Sequence, residues 1–185
     1  AVYERRRSKH EIAGLLFVLL PLAWFSDWRI IERYSARAIK LAEEFPNVFA
    51  AVGWHPSHAT EAPEDLRPAL HELARHPKVV ALGETGLDYY RLPSRKPGFT
   101  AADDEQHKTK QAALFRQHLE VAAELGLNCV IHQRDALEDT LAALQPFADR
   151  VRGVFHCFAN DAAAMRRMRP ILFDRQFNRA LLRHP

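Results

Sequence analysis

Four apolar, β-prone runs recur along the middle of the chain and predict four strands. They are the segments 47–54 (NVFAAVGW), 78–86 (KVVALGETG), 127–132 (LNCVIH) and 151–158 (VRGVFHCF). Within each run the apolar positions are mostly continuous rather than alternating. Strands that are buried on both faces have this pattern, and they occur mainly in parallel sheets. The pattern therefore indicates parallel strands that are covered by helices.

Helical periodicity fills the gaps between these strands. Apolar residues recur at helical spacing near 64–75, in a longer segment that Gly126 ends, and near 137–148. The segment 92–108 is polar and is predicted to be a long loop. The alternation predicts a parallel α/β fold, either an open doubly wound sheet or a (βα) barrel, and the pattern does not separate the two. In both architectures, functional side chains lie at the carboxyl ends of the strands.

Each predicted strand ends at, or next to, a side chain that can bind a metal. These side chains are His55, Glu84, His132 and His156. Because the carboxyl ends of parallel strands meet at one edge, we expect the four side chains to lie together. A lone histidine at a strand end is more often a hydrogen-bonded structural residue, but four such ends in four strands favour a site. Three imidazoles and a carboxylate suit a divalent metal.

The other histidines and the two cysteines are predicted to have structural or surface positions. Cys129 and Cys157 each lie an odd number of residues from the histidine of their strand, so we expect them to face the helical layer. Buried thiols are favoured over a disulfide as their state. The two histidines of HELARH, at 71–76, are five residues apart and cannot share one metal on a helix. The residues expected at helix or loop surfaces are His71, His76, His107 and His118.

The basic residues of this 185-residue chain are concentrated at its ends. Residues 1–10 hold four Arg or Lys and one acid, and residues 166–185 hold six Arg and one acid, within a net charge of +3. The basic balance therefore does not predict a nucleic-acid-binding face. The apolar segment 12–25 is shorter than the roughly 20 residues of a membrane span. An export segment and a buried strand interrupted by Pro21 remain alternatives for it.

Four motifs resemble, in order and spacing, those of the TatD family of metal-dependent deoxyribonucleases, within the amidohydrolase-like superfamily. They are VGWHPSHA, ALGETGLDYY, FRQHLEVAAELGLNCVIHQRDA and GVFHCFAN. The resemblance implies a (βα)8-type barrel, a divalent cation (Mg²⁺, Mn²⁺ or Zn²⁺) and hydrolysis of phosphodiester bonds in DNA. It also implies that Glu84, His132 and His156 bind the metal and that His55 contacts the substrate. Arg134, two residues after His132, is placed where it can meet a phosphate.

The resemblance fades towards both ends of the chain. The family carries an H-x-H pair on its first strand and a late aspartate in an E-T-D-type motif, and neither occurs here. We therefore expect a fragment, or a truncated or frame-shifted product. Its predicted parts are a divergent segment over 1–32, a partial, TIM-barrel-like hydrolase domain over 33–165 and a divergent tail over 166–185.

These departures lead to two expectations about function. The first is a cytoplasmic, metal-dependent deoxyribonuclease of reduced activity, with DNA as its substrate and no identifiable catalytic base. The alternative is a catalytically inactive remnant of the barrel. In a partial barrel, exposed strand edges would favour self-association. A membrane or export role for the segment 12–25 is the least favoured interpretation.

Overall fold

The computed structural model describes residues 29–156 and 162–172. The segment 12–25, Cys157 and most of the predicted tail lie outside the described residues. In the part of the chain that is described, no helix combines the length and the apolar character needed to cross a bilayer. The predicted domain boundaries remain predictions.

Four parallel strands form one sheet, as the apolar runs predict. They are β1 (Ala50–Val52), β2 (Val79–Asp88), β3 (Asn128–Arg134) and β4 (Gly153–His156), in the spatial order β1-β2-β3-β4. Sequential strands are therefore spatial neighbours, and all four carboxyl ends lie at the same edge. Among the described residues, β1 and β4 are the outer strands, each with one neighbour.

Helices alternate with these strands along the chain. They are α1 (Arg29–Glu44), α2 (Arg67–Ala74), α3 (Ala101–Leu125), α4 (Leu137–Leu144) and α5 (Ala162–Leu172), with short 3-10 helices at Pro56–Glu61, Pro93–Arg95 and Gln145–Phe147. The prediction of a loop over 92–108 was wrong in its second half, because α3 already begins at Ala101. The backbone N–H and the hydroxyl of Thr100 both donate to the Asp103 carboxylate at 2.7 Å, and this cap starts the helix.

The long helix α3 packs against the sheet with the apolar face that its periodicity predicts. Its residues Leu114, Phe115, Leu119 and Ala122 are buried in one hydrophobic cluster with Cys129 and Ile131 of β3. Cys129 is thus a buried thiol of β3 that faces the helical layer, as predicted, and burial raises its pKa to about 12. Gly126 ends the helix with φ of 65°.

Two histidines of α3 are buried, so their predicted surface positions were wrong. His118 is fully buried and His107 is 6% exposed. The physical reason lies in the helical repeat. Position 118 follows Leu114 by four residues and precedes Ala122 by four, so it lies on the same face as the apolar residues. His71 and His76, in contrast, have partly exposed side chains that pair with glutamates.

Candidate metal centre

Glu84 leaves the β2 ladder at a bulge. Gly83 pairs with Val130 and Thr85 with the next residue, Ile131, so Glu84 has no partner of its own in β3. A bulge of this kind re-aims one side chain while the strand continues. The Glu84 side chain is 11% exposed at the carboxyl end of the sheet. The bulge therefore places a nearly buried carboxylate at the edge where the strand ends meet.

The glycines on either side of Glu84 allow β2 to lie close to β3. Gly83 has φ of 136° and Gly86 has φ of 141°, a region that other residues rarely adopt. A Cβ atom at Gly83 would collide with the carbonyl oxygen of Val130, and one at Gly86 with that of His132. The close approach of β2 to β3 thus requires glycine at both positions 83 and 86, and this approach fixes the position of Glu84 between them.

His132 lies between two carboxylates. Its Nδ1 is 2.9 Å from Glu84 Oε1, and its Nε2 is 3.2 Å from Asp88 Oδ2. Burial alone would lower the pKa of His132, but hydrogen bonds with Asp88 and Glu84 raise it to about 9. Burial alone would raise the pKa of Glu84 and Asp88, but the hydrogen bonds of these carboxyl groups to His132 lower the pKa of both. The three groups form one charge-coupled unit.

Two further histidines reach this unit from β4 and from the end of β1. His156 Nδ1 lies 3.0 Å from Glu84 Oε1. His55 Nε2 lies 3.3 Å from His132 Nδ1. The pKa of His55 is lowered to about 4, first by burial and then by the positive charge of His132. The structure therefore brings together the four strand-end side chains that the sequence singled out.

The donor set fits a divalent cation. One atom each from His55, Glu84 and His132 lies within 4.8 Å of the others. Protons alone do not satisfy these contacts. A proton on His132 Nδ1 can be donated to Glu84, but it then faces the N–H of His55. Without that proton, the lone pair of His132 Nδ1 faces a lone pair of Glu84 Oε1 across 2.9 Å. A cation shared by the lone pairs removes this conflict.

Asp88 supports the same arrangement from behind. With the Nε2 proton of His132 donated to Asp88, the Nδ1 lone pair is directed towards Glu84. Carboxylate–histidine–metal arrangements are common in protein metal sites, because the second partner fixes the tautomer and the ring orientation. Asp88 is buried, with a side chain that is 2% exposed. Because its Oδ2 bonds the nitrogen of His132 that faces away from Glu84, Asp88 holds His132 in place and is not itself directed at the proposed cation.

The hydrogen bonding of His55 favours a different task. Its Nδ1 accepts the backbone N–H of Ser57 at 3.1 Å. A neutral imidazole that accepts at Nδ1 carries its proton at Nε2, so that nitrogen is a donor and has no lone pair for a metal. His55 is thus arranged to donate a hydrogen bond into the site, which suits a substrate contact better than a metal ligand. Of the three clustered donors, Glu84 and His132 therefore offer lone pairs to a cation, and His156, 3.0 Å from Glu84, is the further imidazole beside them.

Arg134, the fifth residue predicted for the site, ends β3. Its guanidinium carbon lies 3.6 Å from the centre of the Tyr90 ring. Asp88 and Arg134 are partners in the β2–β3 register, so Arg134 extends from the same edge of the sheet. It stands beside the histidine–carboxylate group, over an aromatic ring.

Sequence reasoning missed Asp88, although a signal for it exists. Asp88 lies four residues after Glu84, and residues at even spacing in a strand share one face. The strand was predicted to end at residue 86, and β2 instead continues through Asp88. A strand two residues longer would have placed both carboxylates at the same site.

Two buried polar side chains of α3 were also missed as supports of this edge. Gln111 accepts the backbone N–H of Asp88 at 2.8 Å and donates to its carbonyl at 3.0 Å. His118 Nε2 accepts the backbone N–H of Trp54 at 3.0 Å, next to His55. The signal in the sequence is their position at helical spacing on the apolar face. The helix α3 thus fixes the ends of β1 and β2 through side chains.

A family model described as TatD related DNase matches residues 4–173 of the chain. The chain belongs to this family. It is 37% identical over 131 residues to the "Uncharacterized metal-dependent hydrolase YabD" of Bacillus subtilis, with 70% of this chain and 47% of that protein covered. It is 32% identical over 134 residues to the "3'-5' ssDNA/RNA exonuclease TatD" of Escherichia coli K12, with 72% and 47% covered. The TatD-family chain thus spans about half the length of these curated relatives.

Solved structures of the TatD family have the same fold. The crystal structure of YJJV, a TatD homolog of Escherichia coli K12, aligns with a TM-score of 0.58 at 28% identity, covering 74% of this chain and 49% of that chain. A TatD family hydrolase of Entamoeba histolytica aligns with a TM-score of 0.57 at 24% identity, covering 72% and 44%, which shows the fold alone. Of the two architectures that the sequence allowed, the partial TIM-barrel-like fold is confirmed.

Proposed function

We propose that this chain binds a divalent cation through Glu84, His132 and His156 and uses it to hydrolyse phosphodiester bonds in DNA. The observation that carries the proposal is the contact of one carboxylate oxygen, Glu84 Oε1, with an imidazole nitrogen from each of β3 and β4. The family adds support, because one relative is named a 3'-5' exonuclease of single-stranded DNA and RNA. Mg²⁺, Mn²⁺ and Zn²⁺ all accept nitrogen and oxygen ligands.

Each side chain of the site has a task in this proposal. When bound, the cation supplies Lewis acidity towards a phosphoryl oxygen. Asp88 holds the Nε2 proton of His132 and so keeps its Nδ1 directed at Glu84. His55 donates its Nε2–H to a non-bridging oxygen of the substrate. Arg134 offers the edge of its guanidinium to a phosphate, since the face of that group stacks on Tyr90.

We infer that hydrolysis by this chain alone is slow. The sequence contains no H-x-H pair, and the fold supplies no second group of ligands among the described residues. Missing transition-state contacts raise the barrier, and each 1.36 kcal/mol costs about tenfold in rate. An inactive remnant of the barrel is the second candidate, and the same absence of H-x-H favours it. In that case β1 and β4, the outer strands among the described residues, offer edges for self-association.

A nuclease assay on single-stranded DNA distinguishes the two candidates. The purified chain is incubated with Mg²⁺, Mn²⁺ or Zn²⁺, with and without EDTA, beside Glu84→Ala prepared in the same way. Cleavage that needs a metal and exceeds the Glu84→Ala background supports the enzyme. A folded chain that shows only background cleavage with every metal supports the remnant.

A further inference from the structure

Two arginines lie over the ring of Tyr90 next to the metal centre. The guanidinium carbon of Arg134 lies 3.6 Å from the ring centre, and that of Arg95 lies 4.9 Å from it. Tyr90 is 42% exposed, so the group is open to a ligand. Stacking on an aromatic face holds a guanidinium in place and leaves its N–H edge available.

We propose that Arg134, Tyr90 and Arg95 form a clamp for an internal phosphodiester group of a single DNA strand, beside the group that is cleaved. The inference rests on the proposed function, since it assigns the clamp to the same substrate. It adds a binding site and two residues, Tyr90 and Arg95, that the metal centre does not include.

The clamp is tied rigidly to the metal centre. Asp88, which holds His132, also accepts the backbone N–H groups of Tyr90 at 3.0 Å and Arg91 at 3.2 Å through its other carboxylate oxygen, Oδ1. The backbone N–H of Tyr89 donates to the carbonyl of Arg134 at 2.9 Å. One buried carboxylate thus orients a proposed metal ligand and the turn that carries the aromatic ring. A strand held by the clamp is therefore positioned relative to the cation.

Arg95 is held in place from α3. It belongs to the short 3-10 helix Pro93–Arg95, and the backbone N–H and hydroxyl of Ser94 donate to the Asp104 carboxylate at 2.8 and 2.6 Å. The loop that carries Arg95 is therefore attached to the first turn of the helix. The second arginine of the clamp therefore reaches Tyr90 from a different element than the first, and the two cations over the ring are anchored separately.

Both guanidinium groups retain their hydrogen-bonding capacity. Within residues 29–156 and 162–172, no carboxylate lies within 4.0 Å of Arg134 or Arg95, whereas Arg67 and Arg116 pair with carboxylates at 2.8 Å. A cation stacked on a ring, without an anionic partner and beside a metal centre, is suited to a phosphate. Two such positively charged groups on one ring suit the negatively charged backbone of a nucleic acid better than they suit a neutral ligand.

Binding of a labelled single-stranded oligonucleotide without terminal phosphates, measured by fluorescence anisotropy in EDTA, tests the clamp. Each phosphate contact contributes about 0.7 to the slope of log K against log salt for a single strand. We expect Arg134→Ala and Arg95→Ala each to weaken binding and to lower that slope by about 0.7. Tyr90→Leu is expected to weaken binding through loss of the stacking surface. Circular dichroism establishes that each variant is folded, and Arg134→Gln, which removes the charge but keeps a long polar side chain, replaces Arg134→Ala if that variant does not fold.

Arg150 provides the matched control. Its guanidinium carbon also lies over an aromatic ring, 5.2 Å from the centre of Phe147, but it precedes β4 at the amino end of the sheet. Arg150→Ala is expected to bind with the affinity and salt slope of the wild type. Equal slopes and affinities for the wild type, Arg134→Ala and Arg95→Ala overturn the proposal, as does a folded wild type that does not bind. Displacement of the strand by inorganic phosphate at matched ionic strength would reassign the site to free phosphate.

The outcome is separable from that of the proposed function, because binding in EDTA requires no hydrolysis. A chain that binds DNA through the clamp but never cleaves it contradicts the proposed function alone. A chain that cleaves DNA, with unchanged KM in Arg134→Ala and Arg95→Ala, contradicts the clamp and the phosphate contact proposed for Arg134, but leaves the proposed cation site and hydrolysis standing.

Discussion

Asp88 Oδ2 lies 3.2 Å from His132 Nε2, on the side of the imidazole that faces away from Glu84. The pair joins the last residue of β2 to β3, and the aspartate is buried. A carboxylate at this position determines which nitrogen of His132 carries the proton. The geometry of the candidate metal centre therefore depends on a residue that does not bind the cation itself.

Asp88→Asn is expected to weaken the binding of Mn²⁺ by about 10- to 100-fold, because outer partners of histidine ligands have effects of this size. Isothermal titration calorimetry measures the change. Asp65→Asn is the control, since Asp65 is exposed and pairs with Arg67. Wild-type affinity in Asp88→Asn would show that Asp88 does not orient a ligand.

Glu84→Gln is expected to abolish detectable metal binding. The amide keeps the size of the side chain but removes the negative charge that two imidazoles approach. Glu124→Gln serves as a control, because Glu124 is 59% exposed and pairs with His71 away from the site. Calorimetry that gives equal affinities for Glu84→Gln and the wild type would remove Glu84 from the ligand set.

Gln111→Met is expected to lower the free energy of unfolding by about 2–4 kcal/mol, because it leaves two buried backbone groups of Asp88 without a partner. Gln111 is 1% exposed and bonds both groups. Urea denaturation measures the change.

Gln117→Met provides the comparison. Gln117 also bonds two backbone groups, the N–H of Leu66 at 2.6 Å and the carbonyl of Glu64 at 2.8 Å, but its surroundings are partly exposed. Water can replace those bonds, so we expect a loss of roughly 1 kcal/mol or less. Equal losses in the two variants would contradict the role of burial.

His118 is expected to make the fold less stable as the pH falls below 6.5. Burial lowers its pKa to about 4, against 6.5 in the unfolded chain. Between these two pH values the unfolded chain binds a proton at His118 that the folded chain does not bind. The stability that His118 contributes is therefore fully present above pH 6.5 and is lost as the pH falls towards 4. The loss from this residue between pH 7 and pH 5 is about 2 kcal/mol.

The free energy of unfolding of the wild type and of His118→Gln, measured in urea at several pH values, tests this expectation. The fall between pH 7 and pH 5 is expected to be smaller in His118→Gln by about 2 kcal/mol. Gln117→Met, which removes no titratable group, should retain the wild-type dependence. Parallel curves for the wild type and His118→Gln would refute the assignment.

The elements were largely predictable because their signals are local. The four apolar runs became β1 to β4, and the periodic segment that Gly126 ends became the second half of α3. The errors in the boundaries of elements occurred where polar residues or glycines in the sequence suggested a loop or a strand end, but the folded chain continues or begins an element there. The pair Thr100 and Asp103 begins a helix inside a polar stretch, and β2 runs on past a glycine to Asp88.

The candidate site was predictable only in part. Strand polarity was sufficient to place His55, Glu84, His132 and His156 at one edge, because parallel strands end on the same side. It did not indicate that Ser57 would use the Nδ1 of His55, or that Arg134 would lie over Tyr90. Those contacts depend on turn conformation and side-chain direction, which have no periodic signal.

The order of the strands and helices, and the side chains at the strand ends, can be predicted from the amino-acid sequence because apolar periodicity is a property of neighbouring residues. The bulge at Glu84, the bond from Asp88 to His132 and the support from Gln111 arise only in the folded chain. Each of these depends on the register between segments that are 23 to 48 residues apart in the chain. Packing sets that register, and no local pattern encodes it.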